Sequence, residues 1–262
     1  LHVTDTLQVI LLGIIEGITE FLPISSTGHL IIAEQWLGRR SELFNVAIQS
    51  GAMLAVIAVF WTRLLQLLQL QLPASRDYVA KLAFAFAITA IGGLAAKRLG
   101  ASLPETAVPV AIALIVGGIA ILAIERAVAT RPLSAEVTWQ VAFWVGACQI
   151  LAGVFPGTSR SAATIFAAML AGLTLRVAAT EFAFMVGVPT MFAATAYELY
   201  QARGAGLAGE DLRALGLGFA VSALVAFVAV KWLLRYVQSH RFTAFAWYRI
   251  ALGVVLLAVA AI

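Results

Sequence analysis

Charge is what this sequence lacks most. Only 11% of its 262 residues are charged, against roughly 25% in a water-soluble globular domain. Hydrophobic residues make up 62% and the mean hydropathy is +0.98, so too little polar surface remains to cover a soluble particle of this size. A cytosolic enzyme, a disordered chain and a nucleic-acid-binding domain are excluded on that ground. Cysteine is nearly absent. The single Cys148 excludes an intrachain disulfide and a cysteine-based metal cluster, and its apolar run reads as packing. Three histidines, His2, His29 and His240, cannot by themselves build a zinc site. Strand-like alternation is missing, and the apolar runs are too long and uniform for an outer-membrane barrel. No basic region precedes the run Leu7–Ile15, which leads straight into Glu16 and Glu20, so no cleavable signal peptide is expected.

What is present are apolar runs near the length of about 20 residues that a membrane-spanning helix requires. They are Phe44–Trp61, Val79–Ala96, Ala107–Ile124, Val137–Phe155, Val177–Tyr200, Leu212–Leu234 and Phe242–Ile262. Loops are expected at Gly38–Glu42, Pro73–Asp77, Lys97–Glu105, Glu125–Glu136, Arg203–Asp211 and Gln238–Arg241. The net charge of +4 comes from basic residues standing singly or in pairs between these runs, as membrane-flank anchors do. Basic loops fall on both sides, so they set no orientation. The expected fold is all-α: one polytopic membrane domain over residues 1–262, with no soluble appendage.

Two further stretches are interrupted. Leu7–Ile32 contains Glu16, Glu20, Pro23, Ser25, Ser26, Thr27, Gly28 and His29, and Phe155–Leu173 opens with Pro156-Gly157-Thr158-Ser159-Arg160-Ser161. Such residues break helices, and broken backbone at membrane depth survives only where protein or a wet cavity satisfies it. Both stretches are expected to be helix–break–helix elements of the kind that forms re-entrant hairpins. Pro23 follows Glu16 by seven residues, as Pro156 follows Gln149, and a hydroxyl pair follows each proline. This pairing predicts pseudo-repeats over roughly 1–130 and 131–262, with a site at their interface.

The interruptions carry the chemistry. Glu16 and Glu20, at i and i+4, put two carboxylates on one helix face. Their repulsion is relieved by a hard cation held through oxygen, Mg²⁺ or Ca²⁺; the plainer reading is a pair of glutamates facing headgroups. Ser25, Ser26, Thr27 and Gly28 read as a helix start, whose free N–H groups suit an anion such as phosphate. His29 is within reach of a hydroxyl on the same turn, a minimal activated nucleophile, although hydroxyl clusters are also ordinary helix caps. Arg160, in an otherwise apolar segment, needs an anionic partner. Its guanidinium fork matches a phosphate, unless it is paired with a buried glutamate such as Glu181 or Glu16. Together these groups suit phosphoryl hydrolysis on a substrate with a phosphate head and a lipid tail.

The run Glu16-Gly17-Ile18-Thr19-Glu20-Phe21-Leu22-Pro23-Ile24-Ser25-Ser26-Thr27-Gly28-His29 resembles the first motif of the undecaprenyl-diphosphate phosphatases, or bacitracin-resistance proteins. Pro156-Gly157-Thr158-Ser159-Arg160-Ser161 with Thr164 resembles their second, and weaker matches occur at Gln49-Ser50-Gly51, Glu181-Phe182 with Pro189, and Tyr248-Arg249. The resemblance implies inverted repeats with two re-entrant helical hairpins in the bacterial inner membrane, with a site facing the periplasm. It implies hydrolysis of undecaprenyl diphosphate to undecaprenyl phosphate and inorganic phosphate, dependent on a divalent cation, Mg²⁺ or Ca²⁺. This recycles the lipid carrier of peptidoglycan synthesis. On this resemblance Ser26 is the nucleophile, His29 its acid/base partner, Arg160 the phosphate clamp and Glu20 a further catalytic residue. Ser25, Thr27, Ser159, Ser161, Thr164 and Gln49 bind substrate, while Glu16 and Glu20 hold the metal. Direct attack by water, with Glu20 or His29 as base, fits the same residues. The partners it implies are the polyprenyl diphosphate lipid and the bilayer, with no nucleic acid, and a second copy of the chain in a homodimer.

Three positions depart from the family pattern. Asn45 stands where an acid is usual, and Thr158 and Ala162 where an aromatic and a glycine are common. Two other activities share some of these features. The type-2 phosphatidic-acid phosphatases place a histidine six residues after a Ser-Arg pair; here that position is Phe166. A transporter or flippase of polyprenyl phosphates would use Arg160 and the helix starts. It has no evident use for Ser26 beside His29 or for the paired glutamates.

Overall fold

The computed structural model describes residues 3–101, 106–205 and 211–260. All regular structure among them is helical: α1 Val3–Thr19, α2 Ser26–Leu37, α3 Glu42–Val59, α4 Trp61–Leu67, α5 Pro73–Arg98, α6 Ala107–Val128, α7 Trp139–Val154, α8 Arg160–Leu170, α9 Arg176–Ala205, α10 Leu212–Ser239 and α11 Thr243–Ala260. Helices α3, α5, α6, α9, α10 and α11 are long and apolar enough to cross a membrane. The protein is a polytopic, all-α membrane protein. Helix α7, at 16 residues, is shorter than the spanning run expected there.

Local chemistry moves several expected boundaries. Pro73–Asp77 is not a loop but the first turn of α5, because proline at N1 has no N–H to waste and its φ is already helical. The predicted Glu125–Glu136 loop starts later, since α6 runs to Val128 and keeps Glu125 buried. There Glu125 accepts from Arg176 Nε at 2.9 Å and Nη2 at 2.5 Å, and from the Phe242 amide at 3.0 Å. That bidentate pair joins α6 to α9 and to the turn before α11. The short α4 was not foreseen. Parts of the predicted Lys97–Glu105 and Arg203–Asp211 loops lie outside the described residues, as do His2 and Ile262; Arg203 itself lies in α9.

Large apolar side chains point outward, including Trp36, Ile91, Leu224, Val228 and Trp247, as a lipid-facing surface requires. Between helices, small residues allow close approach, the usual basis of helix association in a bilayer. Helix α1 packs on α10 with Gly17 so near that a Cβ would sit 2.7 Å from the Ser222 carbonyl oxygen. Helices α6 and α11 meet through Gly118 and Gly253, each against the partner's backbone. Helix α3 packs on α10 and α9, and α5 on α7. This scaffold brings the α1–α2 break, the α7–α8 break and α11 together.

Candidate active site

Both breaks end in the same backbone device. Ser25, ahead of α2, has φ 74° and ψ 99°, and Ser159, ahead of α8, has φ 69° and ψ 112°. These are the two non-glycine residues with positive φ among the described residues, a conformation that disfavours any side chain. Each is an N-cap whose hydroxyl accepts from an amide three residues on, Gly28 N and Ala162 N, both at 3.3 Å. Serines held at positive φ turn the chain sharply into the first turns of α2 and α8. The second break also contains Gly157 at φ 88°, where a Cβ would lie 2.8 Å from the Val110 carbonyl oxygen.

The two breaks touch. Ser161 Oγ donates to the Leu22 carbonyl at 3.1 Å, tying the second break to the backbone of the first. Arg160 forms an ion pair with Glu20 Oε1. The other carboxylate oxygen, Oε2, accepts from Ser26 Oγ at 2.6 Å. Glu20 thus joins the hydroxyl of one break to the guanidinium of the other, with the Arg160 side chain 20% exposed and that of Glu20 6%. A narrow cavity beside them is lined by Met53 of α3, Thr164 of α8 and Gly187 of α9. A buried carboxylate holding a hydroxyl beside a cation can take the hydroxyl's proton as a phosphate engages the cation.

Several side chains meet partners other than those expected. Arg160 pairs with Glu20, not with Glu181 or Glu16; Glu181 accepts instead from Arg63 at 3.1 Å. Ser26 is bonded to Glu20, not to His29. The reason is helix geometry. The His29 ring turns back along the helix, where Nδ1 donates to the Ser25 carbonyl at 2.7 Å. Nε2 therefore carries the lone pair and accepts from the Tyr248 hydroxyl of α11 at 2.7 Å. The His29 and Tyr248 rings lie 3° from parallel. Both line a different cavity, a cleft of about 490 Å³ between α1 and α11 with walls of Ile15, Ile18, Leu22, Ile24 and Phe245.

The remaining residues divide by what their hydroxyls already do. Ser25 and Ser159 cap helices, and Ser161 is bonded to backbone and to Ser159 at 3.0 Å. Thr164 Oγ1 donates back to the Arg160 carbonyl at 2.8 Å, with the Ser161 carbonyl 3.2 Å away, so its proton is committed to α8 itself. Thr27 and Gln49 are half-buried and make no hydrogen bond to these groups among the described residues. Asn45 donates to Glu34 at 3.0 Å rather than to a site residue. Glu16 is fully buried on α1, and neither of its carboxylate oxygens has a hydrogen-bond partner. No group of three His, Cys, Asp or Glu side chains able to hold a metal occurs among the described residues.

Comparison with known proteins bears on the same residues. The family model described as bacitracin resistance protein BacA matches residues 9–255. The chain belongs to this family. A protein named undecaprenyl-diphosphatase from Rhizobium johnstonii is 63% identical over 259 residues, covering 98% of both chains. Proteins of the same name from Rhizobium etli and Xanthomonas euvesicatoria are 61% and 53% identical, over 98% and 97% of each chain respectively. The matched span includes both breaks and α11 up to residue 255. One of the weaker motif matches lies beside the breaks. Arg249 of α11 is fully buried; the Tyr248-Arg249 match marked it but carried no role, although a charge in the middle of the apolar run Phe242–Ile262 is itself a signal of one.

Proposed function

We propose that the chain hydrolyses undecaprenyl diphosphate to undecaprenyl phosphate and inorganic phosphate in the bacterial inner membrane, with its site open to the periplasmic leaflet. Family membership and the names of its close relatives support the activity. The observation that carries it to particular residues is Glu20, bonded at once to the Ser26 hydroxyl and the Arg160 guanidinium. The α1–α2 and α7–α8 elements act as re-entrant hairpins in two inverted pseudo-repeats. Helix packing supports the repeat: exchanging α1, α3 and α10 for α7, α9 and α5 turns the contacts α1–α10 and α3–α10 into α7–α5 and α9–α5, which also occur.

The terminal phosphate displaces Glu20 from Arg160 and takes the guanidinium fork, with the first amides of α2 and α8 beside it. Ser26 Oγ attacks the terminal phosphorus and gives its proton to Glu20, in place of the His29 partnership expected from spacing. The bridging P–O bond breaks and undecaprenyl phosphate leaves. Water then cleaves the phosphoserine, releasing phosphate and returning the proton to Ser26. His29 serves that second step from the α1–α11 cleft, once Tyr248 gives up Nε2. The cleft's apolar walls suit the first isoprene units of the tail. Thr27 and Gln49, whose polar groups have no bond to the other site residues, supply further contacts to the head.

A divalent cation, Mg²⁺ or Ca²⁺, fits this site. Glu16 offers two buried oxygens without partners, and Mg²⁺ is commonly held by one or two carboxylates together with substrate phosphates and water. Glu16, with Glu20 once released by Arg160, would hold it, and it would supply neutralisation of the diphosphate charge.

The test is phosphate release from undecaprenyl diphosphate by purified protein, with and without a chelator. Wild type turns over and loses activity on chelation, and Ser26→Ala and Arg160→Ala lose nearly all of it. Near-full turnover by Ser26→Ala would replace the serine route by direct attack of water. Wild-type protein that moves polyprenyl phosphate across liposomes without hydrolysing the diphosphate would be a carrier.

A further inference from the structure

We propose that Arg249 is a positioning residue that holds the two helix breaks in register with each other; its catalytic consequence rests on the hydrolase reading above. Arg249 stands in α11, is wholly buried, and has no carboxylate partner among the described residues. Its guanidinium is spent on backbone carbonyls instead. Nη1 donates to Pro23 in the first break at 3.2 Å. Nη2 faces Gly157 and Thr158 in the second break, both at 3.0 Å, and Ala113 of α6 at 3.1 Å. Nε reaches Leu114 at 3.4 Å. One planar group therefore grips both breaks and the helix between them.

The acceptors are well chosen for aiming amides. Pro23 lies two residues before the positive-φ cap Ser25, and Thr158 lies immediately before its counterpart Ser159. A peptide unit is planar and trans, so its C=O and the following N–H point opposite ways. Holding the Thr158 carbonyl on Arg249 aims the Ser159 N–H away from it. Holding the Pro23 carbonyl fixes the plane that leads into Ile24 and Ser25. A lysine ammonium, a compact point of three donors, has neither the reach nor the fork to hold carbonyls from three segments. Gly117 of α6 makes room for the grip: a Cβ there would overlap Nη2 and sit 2.8 Å from Cζ.

The test uses the full chain in lipid nanodiscs with Arg249→Lys and, as a variant that keeps the arginine, Gly117→Ala. Two measurements are made. The first is kcat and KM for undecaprenyl diphosphate. The second is the rate at which N-ethylmaleimide labels Thr158→Cys in a Cys148→Ala background, which needs no turnover. A misplacement of about 1 Å costs roughly a hundredfold in rate, so Arg249→Lys is expected to lower kcat about a hundredfold with KM within about threefold. Labelling of Thr158→Cys should rise about fivefold or more in the same variant. Gly117→Ala should move both readouts the same way by less, and carries the test if Arg249→Lys does not fold. An unchanged labelling rate overturns the clamp, whatever happens to turnover. A kcat within twofold of wild type in folded variants, with only the melting temperature lowered, reduces Arg249 to a structural staple and overturns the positioning role. Faster labelling in a chain whose wild type hydrolyses nothing leaves the clamp standing and sinks the hydrolase reading instead.

Discussion

The two helix breaks share a backbone and differ in nearly every side chain that does chemistry. Each has a proline, a serine at positive φ, and a hydroxyl cap on the third amide beyond. Yet the first break carries Glu20, Ser26 and His29, whereas the second carries Arg160. Seven residues before the proline, the first has Glu16, buried and unpartnered, and the second has Gln149, whose amide donates to Thr89 at 3.1 Å. The same turn occurs twice and begins two helices. The acids, the hydroxyl bonded to Glu20 and the imidazole stand at one break and the cation at the other. On the proposed mechanism a group that loses a proton then sits opposite one that keeps its charge, and Glu20 is bonded to both.

That division of labour can be broken from either side. The largest effect is expected at the cation. Arg160→Ala should lower kcat for phosphate release about a thousandfold, the low end of what losing an arginine at a transferring phosphoryl group costs. A loss below tenfold would make the second break mere scaffolding. Next comes the acid that distinguishes the first break. Glu16→Gln should raise the Mg²⁺ concentration needed for half-maximal turnover by about 10- to 100-fold, at least the cost of losing an outer-shell partner. The matching change before the second break, Gln149→Met, should leave that concentration within about threefold; equal responses would erase the asymmetry.

Smaller effects probe what the two breaks share. Ser25→Ala and Ser159→Ala lose the cap while keeping the unfavourable φ, and each should cost about 1 kcal/mol in denaturant unfolding. Glycine at either position tolerates the φ and loses only a few tenths as a cap, so Ser159→Gly should unfold at or above the wild-type midpoint. If alanine and glycine behaved alike at one break alone, the two turns would not be the same device. The least effect is expected from Thr164→Val, whose hydroxyl serves only its own helix. Its turnover should stay within about threefold and its stability within about 1 kcal/mol.

The breaks, their caps and most helices were legible before any coordinates, because proline, serine clusters and apolar length act over a few residues. The partners were not. Spacing brought His29 to within a turn of Ser26, but spacing along a helix does not say which way a ring turns. Its partner Tyr248 is 219 residues away. The same holds for Arg160, whose partner among several buried acids was Glu20, 140 residues distant. Arg249 stood in plain view as a charge inside an apolar run, yet its role as a grip on carbonyls has no sequence signature, since every residue offers a carbonyl. Pro73 went the other way: read as a loop marker, it begins α5 because the first turn of a helix needs no N–H there.

Hydrophobicity and helix-breaking are local properties, and they alone settled that the chain lives in a bilayer, that it is helical, and where its helices are interrupted. Which carboxylate faces which cation, and which cavity the imidazole lines, was decided by packing. Glycine-mediated contacts between helices set those distances, and no residue on either side of a contact encodes the one it will meet.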